Sequence, residues 1–91
     1  MSEDRASVFP GFRELSAKRQ ALSDELAERR RTLGLSQTQV AARMGTSQSA
    51  VARIENGASD LLLSTVDRYA AALGRRLEWR LADAPDEGER S

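Results

Sequence analysis

Leu15, Leu22, Leu26 and Leu33 recur at spacings of seven, four and seven. Those spacings put them on one face of a helix. Neither Pro nor Gly interrupts residues 12–33. The segment therefore reads as one helix of about 33 Å at 1.5 Å per residue, or as two helices broken near Ser23. That serine is a good N-cap type, and Asp24 and Glu25 would follow it at the positive end of the helix dipole. Gly34 ends the pattern, with Arg29, Arg30 and Arg31 in the last turns.

Two shorter apolar patterns follow. Ser36 caps a helix over Gln37–Met44, which Gly45 stops. A second begins at Ser47 or Gln48 and runs to Glu55, ending near Asn56 and Gly57. Val40, Met44, Val51 and Ile54 fall where two such helices clamp together, and Ala41 is small where they approach. Gly45 sits where the turn needs a positive φ, which glycine adopts at least cost. Another helix starts near Ser64 and reaches Leu73, with Val66, Tyr69, Ala70 and Leu73 on its inner face. Beyond Gly74, Leu77, Trp79 and Leu81 alternate with charged residues, which predicts a short strand. Residues 1–11 read as a flexible N-terminal arm and residues 83–91 as a disordered acidic tail. Between them, residues 12–82 form one all-α domain, a compact helical bundle with a short C-terminal strand.

The segment 37–56 is a helix-turn-helix pattern. On the outer side of its second helix lie Gln48, Ser49, Ala52 and Arg53, opposite Val51 and Ile54. Glutamine pairs with adenine through two hydrogen bonds, and arginine pairs likewise with guanine. A recognition helix enters the major groove with its N-terminal residues at the base edges. Gln48, Ser49 and Arg53 are accordingly the candidate base readers.

Charge sharpens this reading. Fourteen basic and fourteen acidic side chains cancel over the 91 residues. Residues 29–57, however, carry five arginines against Glu55 alone, a net of +4, while each flank is at −2. A basic middle between acidic flanks suits a local anionic partner. Thirteen of the basic residues are arginine, the side chain suited to forked phosphate and guanine contacts. The same excess also fits GC-rich codon usage.

Composition removes other classes. Cysteine and histidine are absent, which excludes disulfides, zinc fingers and Cys–His or Ser–His catalysis. No metal or cofactor is expected, and a domain this small is a poor host for a catalytic pocket. No apolar run approaches the roughly 18–20 residues of a membrane span, and no signal peptide is visible at the N-terminus. The expectation is a non-enzymatic, cytoplasmic protein with no membrane partner.

The run Arg30-Arg31-Thr32-Leu33-Gly34-Leu35-Ser36-Gln37-Thr38-Gln39-Val40-Ala41, with Gly45-Thr46-Ser47-Gln48 and Ile54-Glu55-Asn56-Gly57, resembles the XRE, or lambda-repressor-like, helix-turn-helix family. The resemblance covers about residues 24–74. It implies that Gln37 bonds a DNA phosphate from the start of the first motif helix, and that Asn56 contacts the backbone after the recognition helix. Ser47 joins them at the backbone, and Arg43 either faces a phosphate or is solvated. The resemblance also implies an ion pair between Arg30 and Glu55. Residues 56–81 are similar, on spacing and hydrophobicity, to antitoxins of HipB and HigA type, some of which pair a C-terminal strand with its copy in a second subunit.

A lone strand of Leu77, Trp79 and Leu81 leaves its backbone groups unpaired, and a two-fold partner would satisfy them. A homodimer would also set two recognition helices about 34 Å apart on double-stranded DNA. The expected function is a sequence-specific transcriptional regulator, a repressor on a pseudo-palindromic operator. The alternative is an antitoxin that binds a toxin and represses its own operon. A third possibility is an interaction module that has lost DNA binding, which the basic middle argues against.

Overall fold

A computed structural model describes residues 12–78 and 80–83, with side chains described from Leu15 onward. The N-terminal arm at 1–11, Trp79 and the tail from residue 84 lie outside the described residues. Among the described residues four helices follow in order: α1 (Phe12–Thr32), α2 (Gln37–Met44), α3 (Gln48–Glu55) and α4 (Leu63–Ala72).

Helix α1 is continuous through Ser23, so this serine starts no helix. It is buried instead, on the face that also carries Leu26 and Ala27. Three and four residues apart, these side chains line one row. The leucine stripe is only partly core: Leu22 and Leu26 pack inward, whereas Leu15 and Leu33 are exposed.

Local chemistry sets the ends of the motif helices. Ser36 Oγ accepts the Gln39 N–H at 3.0 Å while Gln39 Oε1 accepts the Ser36 N–H at 2.8 Å. This reciprocal capping box satisfies two backbone donors that the first turn cannot. Gly45, at φ 73°, turns the chain out of α2. Thr46 N–H then donates back to the Ala41 carbonyl at 2.9 Å. Ser47 Oγ accepts the Ala50 N–H at 3.2 Å and opens α3. Helix α4 starts at Leu63, one residue before the serine expected there, and its N-cap Leu62 offers no side-chain cap.

Helix α2 packs on α3 and α4, and α1 packs on α3. The core they enclose holds Leu26, Val40, Ala41, Met44, Val51, Ile54, Val66, Tyr69, Ala70 and Leu73. Val40 and Val51 are completely buried. Each large aliphatic side chain hidden this way contributes about 1.5–3 kcal/mol. The first half of α1 reaches the far end of α3, where Arg19 Nε donates to the Gly57 carbonyl at 3.1 Å.

Among the described residues no C-terminal strand is seen within this chain. Residues 75–78 and 80–83 have no regular secondary structure. Leu77 is half-buried against the helical core, and Leu81 is fully exposed. Alternation supplies a strand's two faces but not its hydrogen-bonded neighbour, and no second strand exists among the described residues. Of the three residues expected in a strand shared with a second subunit, Leu77 covers the core of its own chain, Leu81 is fully exposed, and Trp79 lies outside the described residues.

Candidate nucleic-acid interface

At 100° per residue, Gln48, Ser49, Ala52 and Arg53 span an arc of about 140° on α3. Gln48, Ser49 and Arg53 are exposed, while Val51 and Ile54 on the opposite side are buried. The helix thus presents a polar row outward because its apolar row is anchored in the core. Ser47 stands at the N-terminal end of that row and Asn56 at the C-terminal end, both exposed. Ser47 Oγ lies 3.1 Å from Ser49 Oγ, so the cap and the reading position share a hydrogen bond.

Behind the row lies a polar hub to which each of α1, α2, α3 and α4 contributes. Glu55, at the end of α3, is its centre. Arg30 from α1 donates to it twice, Nε to Oε2 at 2.6 Å and Nη2 to Oε1 at 3.1 Å. A third Arg30 donor, Nη1, reaches the Leu35 carbonyl at 2.7 Å. Gln37, the first residue of α2, donates Nε2 to Glu55 Oε1 at 2.9 Å. Tyr69 from α4 donates its hydroxyl to Glu55 Oε2. Gln48 in turn donates Nε2 to Gln37 Oε1 at 2.6 Å. Gln48 and Glu55 are seven residues apart, two turns along one row, and Gln37 lies across that row.

The hub controls protonation. Burial pushes the Glu55 carboxyl up, but hydrogen bonds from Arg30, Tyr69 and Gln37 outweigh it and hold it below the usual carboxylate range. The Arg30 guanidinium is raised, chiefly by its hydrogen bond to Glu55. Burial, and then the Glu55 carboxylate, push the Tyr69 phenol above its usual value. All three groups therefore stay in the form their hydrogen bonds require near neutrality.

The remaining candidates are placed differently. Arg53 forms an ion pair with Asp60, in the loop after α3. Arg43 turns away from the row, its Nη1 donating to the Ala72 carbonyl at the end of α4 at 3.0 Å. Six positions along α2 set Gln37 and Arg43 about 120° apart around its axis. The structure thus groups Gln37, Ser47, Gln48, Ser49, Arg53 and Asn56 and leaves Arg43 on another side. Sequence reasoning missed Tyr69 and Asp60. Periodicity places Tyr69 on the inner face of its helix without naming its partner, and a buried tyrosine hydroxyl needs one. Asp60 follows Arg53 by seven residues across a loop, where no periodicity announces a contact.

Among the described residues, no group of carboxylates is placed to hold a metal ion. Nor is any described helix long and apolar enough to cross a membrane.

Comparison with known proteins adds a second line. The helix-turn-helix family model matches residues 26–80. Two curated proteins, each named Antitoxin HigA1, are 44% identical to this chain over 69 residues. They come from Mycobacterium tuberculosis strains CDC 1551 / Oshkosh and ATCC 25618 / H37Rv. The match covers 76% of this chain and 46% of each relative, so the chain spans about half the length of the curated relatives it matches.

Proposed function

The chain belongs to the XRE-type helix-turn-helix family of DNA-binding regulators, and from that premise we propose that it represses transcription by occupying a pseudo-palindromic operator as a homodimer. The observation that carries this reading is the exposed row of Gln48, Ser49 and Arg53 over a buried Val51 and Ile54. Such a row can enter the major groove without disturbing the core behind it.

In this reading α3 lies in the groove. Gln48 and Arg53 offer base edges the forked contacts that suit adenine and guanine, and Ser49 permits close approach. Gln37, Ser47 and Asn56 bond the phosphate backbone and fix the register. Gln37 spends one amide hydrogen on Glu55 and has a second to give. Ser47 stands at the N-terminus of α3, where the helix dipole favours a phosphate. Arg53 exchanges Asp60 for DNA. Arg43, turned onto α4, takes no part.

Selection from random duplexes at about 0.15 M salt tests the reading. The expected result is a two-fold symmetric site with half-sites about one helical turn apart. A folded protein that enriches no sequence overturns it.

The 44% identity to Antitoxin HigA1 favours a second reading, in which the chain also neutralises a protein toxin. Growth rescue on co-expression with a toxin encoded beside it is the expected result there. A chain that selects an operator and rescues nothing is a plain regulator.

A further inference from the structure

The base-reading row is connected to a carboxylate that has no capacity left. Glu55 accepts Arg30 Nε, Arg30 Nη2, Gln37 Nε2 and the Tyr69 hydroxyl. An ionised carboxylate offers about four acceptor positions and no donor, so every position on Glu55 is taken. The arrangement has a direction. Gln37 can meet a carboxylate only with its nitrogen, which turns its oxygen toward Gln48. Gln48 can meet that oxygen only with its own nitrogen, and it does so at 2.6 Å. The charge on Glu55 therefore sets the orientation of two amides in succession, the second of which is exposed at the reading row.

We propose that Glu55 and Tyr69 are positioning residues that determine specificity: without touching DNA, they fix the order of donor and acceptor that Gln48 offers a base. The proposal rests on the reading of Gln48 as a base-contacting residue. Once Gln48 has given one amide hydrogen to Gln37, one hydrogen and the oxygen remain, in a fixed order. An adenine edge presents the complementary pair, an acceptor at N7 and a donor at N6. Were the amide of Gln48 free to flip, it would offer both orders and discriminate less.

Tyr69 enters because a carboxylate held on one side can swing. Arg30 grips Glu55 from α1, and Tyr69, itself completely buried, grips Oε2 from α4. Removing only the hydroxyl empties one of the four acceptor positions in a site that little water reaches. Gln37 then has two places to bond, and its orientation toward Gln48 loosens. Replacing Glu55 by glutamine acts more directly. A glutamine both donates and accepts, so Gln37 can approach it by either end and the direction of the relay is lost.

The experiment is selection from random duplexes with the full chain as wild type, Gln48→Ala, Tyr69→Phe and Glu55→Gln, scored position by position, with a thermal melt of each. Gln48→Ala identifies the base pair that Gln48 reads. One forked contact discriminates roughly five- to a hundred-fold. Glu55→Gln is expected to reduce the adenine preference at that pair to within about threefold. Tyr69→Phe should reduce it partially, and the preference at the pair read by Arg53 should be retained in both. Tyr69→Phe keeps the ring in the core and serves if Glu55→Gln does not fold. A folded Tyr69→Phe with full adenine preference overturns the proposal, and so does a loss spread evenly over all positions, which is the mark of a merely structural role. If Gln48→Ala changes no base preference, the reading of Gln48 itself fails, and that result is separate from the other two.

Discussion

Two ion pairs leave the last turn of α3, and they differ in nearly everything but their chemistry. Arg30 and Glu55 have side chains only 12% and 6% exposed, whereas Arg53 and Asp60 are 56% and 76% exposed. The first pair joins residues 25 apart in sequence and shares its carboxylate with Tyr69 and Gln37. The second joins residues seven apart across a loop. Exposed pairs contribute about 0–1 kcal/mol and weaken with salt. Buried pairs are costly to break from one side, because the surviving charge has no solvent to go to. The difference separates two tasks: the buried pair ties the frame together, and the exposed one can be traded for a ligand.

The sharpest way to break the comparison is Glu55→Ala. It strands the Arg30 guanidinium and leaves the Tyr69 hydroxyl without its acceptor, and should cost about 3–5 kcal/mol in urea unfolding. A loss below about 1 kcal/mol would place this pair in the same class as the exposed one.

Acid should do reversibly part of what that substitution does. The folded Glu55 carboxyl lies below its ordinary value of 4.5, so its contribution is complete above that pH and is lost as pH falls through the folded value. The Tyr69 phenol is raised above 10.0, so its contribution is complete below that pH and is lost as pH rises beyond it. Thermal midpoints measured against pH should show both limbs. Glu55→Gln should flatten the acid limb, and Tyr69→Phe the alkaline one.

Arg53→Ala inverts the pattern. Stability should change by less than about 0.5 kcal/mol, while affinity for the selected operator falls by about 1–3 kcal/mol with relaxed preference at one position. Equal losses on all duplexes in a binding titration would make Arg53 a phosphate contact. The smallest effect belongs to Asp60→Ala, which should destabilise the fold by at most about 1 kcal/mol. Since it removes a negative charge beside the reading row, it should also tighten non-specific DNA binding. A larger loss of stability would show that the loop pair is structural after all.

What could be read from the sequence follows the range of the forces involved. The ends of α2 and α3 were legible because Ser36, Gly45 and Ser47 act within four residues of themselves. The outer row on α3 was legible because a helix sorts its faces by period alone. Ser23 was ambiguous, since whether a serine breaks a helix depends on what packs against it. The alternation at Leu77–Leu81 predicts a strand, but a strand's partner is not written in its own residues, and the described residues of this chain supply none. Tyr69 was placed inward by periodicity, but its bond to Glu55 joins residues fourteen apart that only the packing of α4 brings together. Arg43 was drawn to the end of α4 by the same packing.

The hydrogen bond between Gln37 and Gln48 also bears on how this chain and its descendants diverge. Ser49 and Arg53 hydrogen-bond to the exposed side chains of Ser47 and Asp60, so mutation can rewrite them one at a time and carry the protein to a new operator with its frame unchanged. Gln48 lacks that freedom. A new residue there leaves the oxygen of Gln37 without its donor, and a new residue at position 37 strands both Gln48 and an acceptor position on Glu55. Lineages that depart from glutamine at position 48 should therefore change position 37 with it, drifting as a pair where the neighbouring letters drift alone.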